Sequence, residues 1–446
     1  MPTKILQDLG DGLIMRCATP EDAEALSDFD AKIHSDYGPD HPDEGVRVWV
    51  RDLLTAPHPI FKPEDFTIVE DTRSGEIVSS LNLISQSWSY GGIEFGVGRP
   101  ELVGTATEYR NRGLVRAQFE VIHQWSAARG EKVQGITGIP YYYRLFGYEM
   151  TMDLGGGRYG YNRFVPKLKE TENEPFLIRL AQEADLPFIR ELHELGSRRY
   201  LVNCVRDEAM WRYELYGKSP QNVNRSIFLV IETTEGEPIG FLAHAPNVWG
   251  ASLVATQYEI KPGIPWSLAT PSVIRYLHAA GLTLKTQEGK ANEHDGFGFW
   301  LGREHPVYQV LHDSLPKVRR PYTWYLRLPD QVDFIRHVSP ALENHLAASP
   351  YQGYTGEIRL TFYQSGLSLG IEKGRIVKVE QYLPRPFGHN GDAAFPGLTF
   401  LQLLFGYRDL EELIYAFPDC WYETETVYGL LNALFPKRPC NLWPIS

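Results

Sequence analysis

The stretch LVGTATEYRNRGLVRAQFEVIHQWSAARG, residues 102–130, reads as a strand, a tight polar loop and a helix. Leu102-Val103-Gly104-Thr105 is short and β-prone. Arg110-Asn111-Arg112-Gly113 has the composition of an anion-holding turn. Gly113 opens a helix whose apolar residues Leu114, Ala117, Val121 and Trp125 are spaced three and four apart, and Arg129-Gly130 closes it. A loop feeding a helix N-terminus points backbone N–H groups outward, and the helix dipole adds partial positive charge. A glycine there removes the Cβ that would block close approach. With charge from Arg110 and Arg112, the stretch reads as a diphosphate cradle; the plainer alternative is a surface loop with scattered arginines.

The order of the residues says more than their composition. Arg110-Asn111-Arg112-Gly113-Leu114-Val115 resembles the Arg/Gln-x-x-Gly-x-Gly/Ala signature of the GNAT acetyltransferases, with Val115 a departure at the sixth position. The longer string Tyr109 to Arg116 resembles the Arg-Arg-Arg-Gly-Leu-Leu-Arg form of the enhanced-intracellular-survival (Eis) type. Further on, Tyr143-Arg144-Leu145-Phe146-Gly147-Tyr148 resembles the Tyr-x-x-Phe-Gly-Tyr element that closes the GNAT core. The resemblance implies an α/β (α+β) chain. It would hold two tandem GNAT folds with mixed, mostly antiparallel sheets, then a sterol-carrier-like α+β domain. It implies acetyl-coenzyme A as donor, held by Val103, Thr105, Arg110, Asn111, Arg112, Gly113, Leu114 and Val115. It also implies Tyr143 as general acid, and a hexamer.

Composition bounds the rest. At 446 residues, 43% hydrophobic and 22% charged, the chain has room for about three globular domains. The net charge of −12 argues against nucleic acid, which needs a basic surface, and favours cationic partners such as polyamines, aminoglycosides or lysine side chains. The same charge also serves solubility alone. No apolar run approaches the ~20 residues of a membrane helix, and the N-terminus resembles no signal peptide. Four widely spaced cysteines suit a reduced cytoplasm.

In chain order, Leu13 to Cys17 reads as a strand, and Thr19-Pro20-Glu21-Asp22 opens a helix. From Glu21 to Glu44 nine acids face one lysine. In the resembling family this helix–loop–helix lines the acceptor cleft, so Asp36 and Asp40 are candidates for a cationic substrate; a solvated acidic face is the plainer reading. Phe66 to Glu70 and Ile77 to Ile84 read as a hairpin, and Val133 to Thr137 as a further strand. Gly155 to Gly160 reads as a turn, and Pro166 to Pro175 as a linker.

After the linker the chain repeats itself. Ile14-Met15-Arg16-Cys17-Ala18 becomes Leu177-Ile178-Arg179-Leu180-Ala181, and Asp22 is echoed by Asp185. Later, Pro140-x-Tyr142-x-x-Leu145 recurs as Pro306-x-Tyr308-x-x-Leu311. This implies a duplicated domain. Ile264 to His278, where the second cradle belongs, holds no glycine and only Arg275, so the second copy reads as lacking the cofactor and walling the first cleft. The expected domains are 1–165, 176–330 and 331–446. The last has a helix from Phe334 broken or kinked at Pro340, three strands, and apolar helices at Gly397–Tyr407 and Val427–Phe435.

The chemistry implied is acetyl transfer to an amine, which needs a base because amines are protonated at neutral pH. Tyr143 would protonate the departing thiolate, and backbone N–H groups of Val103–Thr105 would polarise the thioester. In the resembling family the base is the C-terminal carboxylate, here Ser446, and the apolar tail Leu442 to Ile445 suits burial. Two alternatives stay open: a longer acyl donor, and a lipid or small-ligand binder acting through the C-terminal domain with an idle first domain. No metal site is expected.

Overall fold

The computed structural model describes residues 4–248, 250–286, 294–385 and 390–443. The first sheet holds β1 (Ile5–Gly10), β2 (Leu13–Cys17), β3 (Phe66–Asp71), β4 (Glu76–Tyr90), β5 (Ile93–Thr105), β6 (Val133–Ile136) and β7 (Glu149–Leu154). Between these strands lie α1 (Ala23–Ile33), α2 (Glu44–Thr55) and α3 (Leu114–Ala128). The strand quoted above is therefore the end of a much longer one, β5, which pairs along nearly all of β4. Leu102 breaks that register with a left-handed φ of 52°, at a bulge where Gly104 faces Ser80 and Glu101 faces Asn82.

The second sheet draws on β8 (Gly157–Tyr161), β9 (Phe176–Leu180), β11 (Ile227–Thr233), β12 (Pro238–His244), β13 (Ser252–Ile260), β14 (Gly296–Phe299) and β15 (Lys317–Arg319). The short β10 (Val202–Val205) pairs instead with the end of β4. Helices here are α4 (Leu186–Ser197), α5 (Glu208–Arg212), α6 (Trp266–Thr283) and α7 (Pro306–Val310). Both halves carry a matching ion-pair triad. Arg16 bridges Asp22 and Glu70 in the first half, and Arg179 bridges Asp185 and Glu232 in the second. Each triad ties a first strand to its helix entry and its neighbouring strand.

The two sheets exchange a strand. β16 (Tyr322–Arg327) lies between β6 and β7 of the first sheet. Reciprocally, β8 lies between β14 and β15 of the second. Each half thus completes the other, and both strands cross the boundaries read from sequence. The glycine-rich run read as a turn is a turn only at Gly155-Gly156; from Gly157 onward it is strand β8. Its glycines serve close packing. A Cβ on Gly157 would strike the Phe299 carbonyl, one on Gly160 the Phe297 ring, and one on Gly296 the Gly160 carbonyl.

The third unit is a five-stranded sheet of β17 (Gly356–Thr361), β18 (Gly366–Glu372), β19 (Arg375–Tyr382), β20 (Ala393–Ala394) and β21 (Trp421–Tyr422), with α8 (Gln331–Ala347), α9 (Phe400–Leu404), α10 (Leu410–Ala416) and α11 (Glu425–Leu434). α8 runs unbroken through Pro340, contrary to the expected break, and α9 is far shorter than Gly397–Tyr407. This unit shares one apolar core with the first sheet: Trp88, Tyr90 and Trp324 pack with Phe334, Leu342 and Phe400. Tyr90 also donates to the Leu404 carbonyl at 2.6 Å. Truncating a fully buried tryptophan such as Trp88 or Trp324 to alanine costs roughly 3–5 kcal/mol.

Candidate active site

β5 and β6 run parallel and pair only at Val97–Val133 and Gly98–Gln134. Beyond that point β6 pairs only with β16, on its other edge, and β5 runs on to Thr105 paired only with β4. The strands part, and the opening faces the N-terminus of α3. Helix α3 is pegged to the sheet by buried Gln118. Its amide donates to the Thr67 carbonyl at 3.0 Å, and its carbonyl accepts from Ser79 at 2.7 Å. Ser79 in turn lies 2.9 Å from the Thr105 hydroxyl.

The residues of the expected cradle lie at the start of α3. Gly113 is the N-cap of α3 with φ 79°, and its carbonyl receives the Ala117 N–H at 3.0 Å. Asn111 is also left-handed, with φ 63°. No side chain caps the helix, and its first turn carries no acid, so its leading N–H groups keep their partial positive charge. A Cβ built on Gly113 meets nothing within 4 Å, so open space lies before the helix. Arg110, Asn111 and Arg112 are exposed around it, Leu114 is buried beneath, and Val103, Thr105 and Val115 are half-buried. The loop is braced from behind. Arg112 lies over the Tyr109 ring, and Tyr109 donates to Asp71 at 2.8 Å. The Arg73 guanidinium holds the Asp71 carboxyl well below the usual carboxylate range. The residues fit a diphosphate.

Tyr143 sits in a short 3₁₀ turn, Tyr142–Phe146, against α3. Phe146 stacks on Phe119 at 4.3 Å, and Tyr143 packs edge-on to Phe119 at 6.2 Å. Burial pushes the Tyr143 hydroxyl well above the usual tyrosine value, and the negative charge of Glu101 adds to this. The loop before it is held by β16: Tyr325 accepts from the Tyr141 N–H at 2.8 Å, and Tyr322 donates to the Gly138 carbonyl at 2.5 Å. These two tyrosines carry no local signal, because the strand is inserted from residue 322.

Three further ionisable groups, Asp30 and His34 of α1 and its C-cap and Glu101 of β5, carry no role in the expectations above. Asp30 is fully buried; its Oδ1 accepts from Ser80 at 2.6 Å and lies 3.7 Å from His34 Nε2, while its Oδ2 has no partner among the described residues. Glu101 takes both donors of the buried Arg99 at 3.0 and 2.6 Å. An i, i+4 Asp–His pair was the signal available. Asp36 and Asp40 are exposed in the loop between α1 and α2, away from these contacts. Ser446 lies outside the described residues. The described tail leads inward, with the Leu442 carbonyl accepting from Trp324 at 2.9 Å and Trp443 stacked on Trp300 at 3°.

Burial raises the Asp30 carboxyl to about 8, and the Ser80 hydrogen bond only partly opposes this. An unfolded aspartate ionises near 3.9. From about pH 4 to pH 8 the folded chain therefore keeps a proton that the unfolded chain has released, and stability falls as pH rises through that window. Asp30→Asn should remove this slope and stabilise the chain at pH 8 by on the order of a few kcal/mol. Thermal melts from pH 4 to 8 that show identical slopes for parent and variant would refute it.

In the second half, α6 stands where α3 stands in the first. Its N-cap is Pro265, and Gly263, just before Ile264, has φ 89°. The Trp266 ring packs 5.0 Å from both Tyr258 and His305 at the helix start.

The fold is mixed α/β and is similar to that of solved acetyltransferase structures. Residues 38–151 match the acetyltransferase (GNAT) domain, whose acetyl donor is acetyl-coenzyme A. Solved structures extend the likeness over the whole chain. A conserved Enterococcus faecalis V583 protein described as a probable N-acyltransferase aligns with TM-score 0.64 at 13% identity, over 97% of this chain and 99% of that one. A GCN5-related N-acetyltransferase from Kribbella flavida gives TM-score 0.62 at 17% identity, over 96% and 97%. Eis1 from Mycobacterium abscessus gives TM-score 0.54 at 14% identity, over 98% of both. At these identities the likeness is one of fold. No curated protein matches the chain by sequence. Among the described residues no helix is long and apolar enough to cross a membrane.

Proposed function

We propose that the chain transfers an acetyl group from acetyl-coenzyme A to a primary amine of a cationic substrate, such as an aminoglycoside, a polyamine or a lysine side chain. The observation that carries this is left-handed Gly113 opening an uncapped α3 beside the divergence of β5 and β6. Acetyl-coenzyme A supplies an acetyl thioester. Backbone N–H groups of α3's first turn, with Arg110 and Arg112, hold its diphosphate, and N–H groups of Val103–Thr105 polarise the carbonyl. Tyr143 donates a hydrogen bond to the departing sulfur. The exposed carboxylates Asp36 and Asp40 attract the cation. The second half, with Trp266 and Pro265 at its helix start, holds no cofactor and walls the cleft. Asp52 of α2 supports that role by accepting from the Ser219 hydroxyl at 2.7 Å and the Asn222 amide at 2.7 Å.

The base in this reading is the C-terminal carboxylate of Ser446, and the inward course of Asn441 to Trp443 supports it. The C-terminal unit's sterol-carrier-like role is then docking. Deleting Ser446, or extending the terminus with a tag, should lower turnover at least tenfold with coenzyme A affinity unchanged; full activity in both would refute it. The acceptor class is tested by coenzyme A release across amine panels, where turnover confined to neutral or acidic amines would overturn it.

A further inference from the structure

A second cleft lies where β13 and β14 part in the second sheet. Their parallel pairing covers Ser252–Ala255 and Gly296–Phe299 only. Beyond it sits a pocket of about 60 Å³, walled by α4, the strand ends and the tail residues Asn441 to Trp443. It adjoins a wider cleft of about 640 Å³, with which it shares Ser197, Tyr200 and Arg206, and Arg198 and Arg438 line that outer space. The small chamber therefore has a route to solvent.

Its walls carry hydrogen-bonding atoms with nothing to bond. Tyr200 Oη, Arg206 Nε, His305 Nε2, Trp443 Nε1 and Asn441 Oδ1 are all buried and have no partner among the described residues. His305 is only 5% exposed. Its Nδ1 accepts from the Val307 N–H at 3.3 Å, so in the neutral ring Nε2 carries the proton. A Glu259 oxygen lies 3.8 Å away, beyond hydrogen-bond reach. A buried donor left unbonded costs about 1–3 kcal/mol, and native chains keep few of them. Here four donors meet one lone acceptor.

The charge points the same way. Arg206 has no carboxylate partner among the described residues; it stacks on Trp211 at 4.8 Å and reaches Gln257 only at 3.5 Å. Glu259 also lines the chamber, but Arg199 neutralises it. That pair fits against α4 because residue 196 is glycine, where a Cβ would collide with the Glu259 carboxylate. A chamber rich in donors and holding an unneutralised guanidinium suits an anion. A single water needs roughly 10–15 Å³ of such space, so the volume suits a ligand of about four heavy atoms.

We propose that this chamber binds a small monocarboxylate, with Arg206, Tyr200 and His305 as donors and Trp443 closing it from the tail. The ligand would link the second sheet to the chain's end. The site is separate from the cradle at Gly113 and does not depend on the reaction proposed above.

The test is titration of the full chain, saturated with coenzyme A, with sodium acetate at fixed ionic strength. Melting temperature and the fluorescence of the stacked Trp300–Trp443 pair report binding. Acetate should raise the melting temperature and change the fluorescence saturably, whereas chloride should not. Arg206→Gln should weaken acetate binding at least tenfold, and Tyr200→Phe several-fold, with coenzyme A affinity unchanged. Tyr200→Phe removes one oxygen and decides the matter if Arg206→Gln fails to fold. The proposal falls if acetate acts no differently from chloride, if Tyr200→Phe binds acetate as the parent does, or if inorganic phosphate competes equally.

Discussion

Gly113→Leu should abolish measurable coenzyme A binding, with the dissociation constant rising at least a hundredfold, while the chain stays folded. The two effects separate for a structural reason. A Cβ at position 113 meets no protein atom within 4 Å, so a side chain there does not collide with the fold. The cost to stability is the left-handed backbone at φ 79°, roughly 1–2 kcal/mol for an L-residue. The cost to binding is different in kind. The side chain would fill the space into which the α3 N–H groups point, and a diphosphate held by backbone cannot retreat from it. Calorimetry with coenzyme A, paired with a thermal melt, distinguishes the two. Unchanged affinity would remove the cradle from its proposed role, and so would loss of binding that only follows unfolding.

Tyr143→Phe should lower kcat by about 10²–10³, within the range usual for a positioned proton donor, and leave coenzyme A affinity within twofold. Burial raises the hydroxyl well above its ordinary value, so Tyr143 stays protonated throughout the working range. A coenzyme A thiol has a pKa near that of cysteine, about 8.5. Complete proton transfer to it from so weak an acid is uphill. The hydroxyl therefore acts chiefly as a hydrogen-bond donor to developing negative charge. Two results follow. The pH profile of kcat should show no alkaline limb from this tyrosine below about pH 10. The phenylalanine variant, which keeps the packing against Phe119 and Tyr325, should melt close to the parent. A variant with full kcat would refute the proposed role.

The parts of this arrangement that sequence revealed are local. Gly113, the arginines around it and the apolar spacing of α3 lie within one short segment, and their physics is that of a single loop and helix. The repeat was legible because Arg16–Asp22 and Arg179–Asp185 each close a six-residue ion pair. What was missed depends on distant partners. Asp30 meets Ser80 across fifty residues, and Tyr322 and Tyr325 reach the Tyr143 loop from well over a hundred residues away. The run Gly155 to Gly160 misled for a subtler reason. Glycine is equally suited to a turn and to a strand pressed against another backbone, and only β14 with its own glycines decides between them. Pro340 likewise sits inside a continuous helix that tertiary packing of Phe334, Val338 and Leu342 holds in place.

The exchanged strands set a timetable for synthesis. The slot between β6 and β7 is filled only when residues 322–327 have left the ribosome, long after the cradle and Tyr143. At typical translation rates of about 5–20 residues per second, the slot stays open for on the order of 10–30 s. During that time the nascent chain displays two unpaired strand edges, an invitation to wrong partners. Maturation of the tyrosine loop is thereby tied to completion of the second half, and a polypeptide stalled before residue 322 would carry the donor cradle without the strand that holds Tyr143 in place.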